Sequence, residues 1–127
     1  MKKTAVVFTP KYLNHKTGLG HPESPARLRM ILKELKRSGL LETGKCSLVE
    51  PEAASIEEVK LVHESDHIQL VKRVCASGGG LLDLGDTVVS SKSCEAATLA
   101  AGALIDAVNL VLDGKAKNAF ALVRPPG

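Results

Sequence analysis

The chain has 127 residues, 44% hydrophobic and 24% charged, which fits a single soluble globular domain. Its net charge of +3 comes from 17 basic and 14 acidic residues spread along the sequence, and the aromatics are few (Phe8, Tyr12 and Phe120, with no Trp). Direct nucleic-acid binding and base-stacking platforms are therefore not expected. Cys46, Cys75 and Cys94 are odd in number and unpaired in spacing, against a disulfide framework or a thiolate zinc site. The apolar run Ala5 to Phe8 is too short for a signal-peptide core or a membrane span, so a cytoplasmic protein with no membrane partner is expected.

The first element is a strand, Thr4 to Phe8, apolar enough to be buried on both faces of a parallel sheet. A loop of about fifteen residues follows. Ser24 before Pro25 predicts a capped helix with proline at its first position; Leu28, Ile31, Leu32 and Leu35 form its inward stripe, and Gly39 ends it. Lys45 to Val49 reads as a second strand. Ser55 and Glu58 form a capping box opening a short helix to Leu61. Ser65 reads as the cap of the next helix, with Ile68, Val71, Val74 and Cys75 inward. Gly78-Gly79-Gly80 breaks it and reads as a flexible connection, followed by an irregular stretch from Leu81 to Ser91. A long Ala-rich helix from Ser93 to Leu112 stops at Gly114, and Asn118 to Arg124 forms the last strand, leaving by the turn Pro125-Pro126-Gly127. Alternating strands and helices imply a parallel sheet with right-handed crossovers, whose strand ends are where ligands gather. Because the sequence stops at that turn, an N-terminal fragment is expected.

Three short motifs compete for a functional reading. His63-Glu64-Ser65-Asp66-His67 matches H-E-x-x-H, but that zinc signature needs all five residues on one helix. A cap at Ser65 would send the two imidazoles in different directions, and no third histidine follows. Gly18-Leu19-Gly20 lies ten residues past its strand with Glu23 at the third glycine position, which fails as a dinucleotide fingerprint. Gly78-Gly79-Gly80 has no following Lys-Ser/Thr and is not a P-loop. More distinctive is Gly18 to Leu28, where glycines, two prolines, His21 and Arg27 define a sharp loop-to-helix entry. From the residues alone it reads as a capped helix start with solvated His21 and Arg27, and Asp86 as a loop carboxylate capping nearby amides.

Gly20-His21-Pro22-Glu23-Ser24-Pro25, Arg27-Leu28, Gly85-Asp86-Thr87, Ser93 to Ala97, Ala100 to Ala103 and Asn118 to Gly127 together resemble the histone deacetylase superfamily, which also includes acetoin-utilisation proteins and acetylpolyamine amidohydrolases. The resemblance implies an arginase/deacetylase-like three-layer α/β fold with a central parallel sheet, residues 1–127 being the incomplete N-terminal portion of one domain. It implies a hydrolase that uses zinc to remove acetyl groups from lysine or polyamine nitrogens. The family's paired histidine, zinc ligands and catalytic tyrosine lie beyond Gly127, so this chain is expected to carry no catalytic or metal-binding residue, to bind no zinc and to be inactive alone. Two roles transfer: Asp86 resembles the rim aspartate that binds the substrate backbone, and Gly20, His21, Pro22 and Arg27 resemble the wall of an internal channel for acetate. His15, Lys16 and Thr17 match a loop that varies in the family. The alternative is a non-catalytic interaction module derived from that family.

Overall fold

A computed structural model describes residues 2–126; Gly127 of the closing turn lies outside them. Three parallel strands, β1 (Thr4–Val7), β2 (Cys46–Val49) and β5 (Asn118–Ala121), form a sheet in the order β2-β1-β5. Thr4 stands level with both Cys46 and Asn118. As the central strand, β1 is covered on both faces: Ala5, Val6 and Val7 are all buried.

Strand alternation sends Val6 and Phe8 to one face and Val7 to the other. On the first, α1 (Ala26–Arg37) packs Leu28, Ile31, Leu32 and Leu35 into a cluster with Val6, Phe8, Tyr12 and Leu122. On the second, α4 (Ser93–Leu112) lays Ala103 and Ala107 on Val7, Ala119 and Ala121. Small residues let this helix come close. At Gly102 the approach is closest, where an added Cβ would stand 1.8 Å from the Glu52 carbonyl oxygen. The segment is tied there by the Ala54 N–H to the Thr98 carbonyl (2.9 Å) and the Glu52 N–H to Asp106 (2.9 Å).

The capping box forms at α2 (Ile56–Lys60), with Ser55 and Glu58 bonding each other's backbone N–H, and Gly39 ends α1 in the left-handed region at φ +72°. Three expectations are corrected. Ser24 makes no cap: Pro25 is already helical at φ −56°, ψ −26°, and the Ser24 carbonyl, not its hydroxyl, receives the Arg27 N–H. The next helix, α3 (Ser65–Ala76), begins at Ser65 because Glu64, extended at φ −69°, ψ 150°, takes the cap position. The expected flexible glycines and irregular stretch are an antiparallel hairpin of β3 (Gly79–Leu81) and β4 (Val88–Ser90), packed beside α3. Gly79 is required there, with φ +117° and the Val89 carbonyl oxygen 2.5 Å from where a Cβ would sit.

The long loop after β1 also holds a 3-10 helix, Pro10–Asn14, that buries Tyr12 and donates its hydroxyl to the Leu99 carbonyl (2.9 Å). Nor are all the basic residues dispersed. The Thr4 N–H bonds the Lys45 carbonyl and the Lys117 N–H the Lys3 carbonyl, so Lys3, Lys45 and Lys117 stand side by side at the starting ends of three adjacent strands.

Candidate functional site

The loops leaving the carboxyl ends of β1 and β5 meet the tip of the β3–β4 hairpin, and most of the singled-out residues lie there. Gly20 adopts φ +75°, a left-handed conformation that favours glycine although space around it is open. This turn presents His21, whose Nδ1 accepts from the Glu23 N–H (3.1 Å); its Nε2–H is then left to donate to the Asp86 carbonyl (2.8 Å). The Gly20–Glu23 turn and the tip of the β3–β4 hairpin are thus joined by one imidazole. Pro22 is exposed beside it.

The Asp86 carboxylate is exposed and has no hydrogen-bond partner among the described residues. Capping of the loop amides, expected of Asp86, is done instead by Asp83, which accepts from the Gly85 N–H (3.0 Å) and from the Thr87 hydroxyl (2.5 Å). Those bonds, from Thr87 first, hold the Asp83 carboxyl below the usual carboxylate range. Asp86 is left able to take a donor from outside. Arg27, in the first turn of α1, donates to the Val123 carbonyl (2.9 Å) and lies 3.6 Å from Glu23, with its side chain 45% exposed.

Sequence reasoning missed what holds this region together. Arg124, fully buried, donates through Nε and Nη2 to the two oxygens of Glu23 (3.0 and 2.8 Å) and through Nη1 to the carbonyls of Tyr12 and His15. One guanidinium therefore joins the end of β5, the 3-10 helix and the entry to α1. Glu23 serves two arginines. Burial pushes its carboxyl up, but the hydrogen bonds and charge of Arg124, with the charge of Arg27, outweigh this and hold it below its ordinary value.

His15 is buried next to that pair. Its Nδ1 lies 2.6 Å from Ser93 Oγ, which accepts from the Ser90 N–H (2.7 Å), and its Nε2 lies 3.7 Å from Glu23. With Ser93 donating to Nδ1, the ring is neutral and its Nε2–H faces the carboxylate. Burial, then the charge of Arg124, lower the His15 pKa. Ser93 has the hydrogen bond of an activated nucleophile but only 2% exposure, so it acts as a strut between loop, hairpin and α4. An arginine ending an apolar strand just before two prolines was the one available signal for this network.

His63 and His67 lie elsewhere, at the α2–α3 junction. Divergent imidazoles were expected; instead the rings stack, with centroids 5.2 Å apart and planes at 29°. Because α3 starts at Ser65, His63 precedes the helix and His67 sits in its first turn. Among the described residues no three His, Cys, Asp or Glu side chains converge as metal ligands, so the zinc-protease arrangement is not formed.

Comparison with known proteins fits this geometry. The model of the histone deacetylase domain matches residues 21–127. A probable deacetylase of Archaeoglobus fulgidus is 36% identical over 124 residues, covering 98% of this chain and 34% of the relative. A histone deacetylase-like amidohydrolase of Pseudomonas aeruginosa is 39% identical over 108 residues, covering 85% of this chain and 28% of the relative. The crystal structure of the HDA15 HD domain superposes with a TM-score of 0.90 at 34% identity, over all of this chain and 37% of that one. The chain thus spans about a third of the length of these relatives.

Proposed function

Since the chain belongs to the histone deacetylase family and has its arginase-like α/β fold with a central parallel sheet, we propose that it supplies the N-terminal portion of a zinc-dependent amidohydrolase acting on acetyl-lysine or acetylpolyamine substrates. The observation that carries this reading is the 2.8 Å bond from His21 Nε2 to the Asp86 carbonyl, which unites the two loops assigned to the channel and the substrate rim. In this reading the exposed Asp86 carboxylate accepts hydrogen bonds from the substrate backbone. Arg27, backed by Gly20, His21 and Pro22, offers a cation to the released acetate. The described residues do not fit the three-ligand frame of a catalytic zinc, because no three donor side chains converge among them; that ion would be held by residues outside them.

The test uses the protein spanning the whole family domain, with acetyl-lysine peptides and acetylpolyamines as alternative substrates. Asp86→Ala should raise KM by roughly 10- to 100-fold, the loss expected for hydrogen bonds to a charged group, with bound zinc unchanged. An unchanged KM would remove Asp86 from the rim. Failure of the parent protein to hydrolyse either substrate would refute the proposed activity itself.

A further inference from the structure

Of the four histidines, two are committed. His15 is buried against Ser93, and both ring nitrogens of His21 are engaged, by the Glu23 N–H and the Asp86 carbonyl. His63 and His67 are both exposed, and neither ring has a hydrogen-bond partner among the described residues. The backbone nonetheless brings them together. The turn closing α2 bonds the His63 N–H to the Val59 carbonyl (3.0 Å), and extended Glu64 then sets His63 over the first turn of α3, where His67 lies.

We propose that His63 and His67 chelate a borderline divalent transition ion of the Cu2+, Ni2+ or Zn2+ class, a site separate from the proposed hydrolytic activity and independent of it. A zinc–nitrogen bond of about 2.0–2.1 Å places each ring centroid roughly 3.2 Å from the ion, and a tetrahedral angle between two such bonds separates the centroids by about 5.2 Å. The observed separation is 5.2 Å. Both rings are exposed, so packing does not oppose the rotation that turns one nitrogen of each out of the stacked arrangement, with its planes at 29°, toward a shared ion. The positive end of α3 opposes a cation, but Glu64 at the cap and Asp66 in the first turn offset it.

With no third protein ligand among the described residues, water completes the coordination sphere. The ion is therefore exchangeable, and the site lacks the three-ligand frame of a catalytic zinc. Imidazole ligands and the usual order of divalent affinities make Cu2+ the tightest of the three. Because the metal needs the unprotonated rings, binding falls on acidification.

The test titrates the 127-residue chain with Cu2+, following the imidazole proton signals of all four histidines by NMR, and counts nitrogen donors by electron paramagnetic resonance. His63 and His67 should broaden together at substoichiometric Cu2+, before His15 and His21, with two nitrogen donors on the ion. His63→Ala or His67→Ala should each weaken binding by about a hundredfold, the loss expected when a linked pair of contacts becomes single. Both positions are exposed, so the fold should survive, as circular dichroism would verify. Simultaneous broadening of all four histidines, one nitrogen donor, or a single-site variant that binds as tightly as the parent would each overturn the chelate. None of these readouts depends on deacetylase activity.

Discussion

Replacing Glu23 by alanine removes the carboxylate that, alone among the described residues, bonds the fully buried guanidinium of Arg124. Arg124 would keep the Tyr12 and His15 carbonyls but lose two charge-assisted bonds, of 3.0 and 2.8 Å. Breaking a buried ion pair from one side costs about 3–5 kcal/mol, since the remaining charge stays uncompensated. The Glu23 side chain is 19% exposed, which lets water reach the vacated space and places the loss near 3 kcal/mol. With a urea slope of about 1.5 kcal/mol/M, the unfolding midpoint should fall by about 2 M. Glu95→Ala is the control: its contacts to Lys11 (3.2 Å) and Lys92 (3.8 Å) are exposed and should contribute less than about 1 kcal/mol, vanishing in high salt. Acid provides a second check. The Glu23 carboxyl is depressed in the folded state, so its stabilisation is fully present above the unfolded value, near 4.5, and is lost as pH falls through the lower folded value. A Glu23→Ala loss below about 1 kcal/mol, or one equal to that of Glu95→Ala and equally sensitive to salt, would refute the reasoning.

Two further outcomes can be checked in the same denaturation assay. Gly102→Ala should destabilise by roughly 1–3 kcal/mol although alanine is the better helix former, because its methyl group would displace the Glu52–Ala54 segment; a stabilised variant would show that α4 does not make this approach. His15 is held neutral, with its folded pKa below its ordinary value of 6.5. Its contribution is therefore complete above that pH and declines as the solution is acidified toward the folded value. His15→Gln should flatten the stability–pH curve just below 6.5, and an unchanged slope there would exclude His15 as its source.

The elements legible in the sequence were those whose signals are local. The buried run of β1, the four-residue stripe of α1, the Ser55–Glu58 box and the length of α4 each declare themselves within one segment. The β3–β4 hairpin did not, because its strands are three residues long and β3 begins with two glycines that read as a break. Ser65 carried a genuine cap signal, but the extended backbone at Glu64 started the helix first. At the candidate site, the Gly20–Arg27 motif and Asp86 could be named from the chain, whereas the bond between them could not. Glu23 and Arg124 are 101 positions apart. Nothing near Glu23 signals that a second arginine will be buried against it, and by itself the residue read only as a mismatch at the third glycine position of a dinucleotide fingerprint.

The way Arg124 is gripped sets what mutation can change without harm. Two of its bonds end on main-chain oxygens, at Tyr12 and His15, which every amino acid provides. Evolution is thus free to rewrite much of the surface between these anchors while the guanidinium keeps its seat. Heritable constraint falls instead on Glu23 and Arg124, the two members of the clasp whose chemistry no neighbouring backbone can imitate.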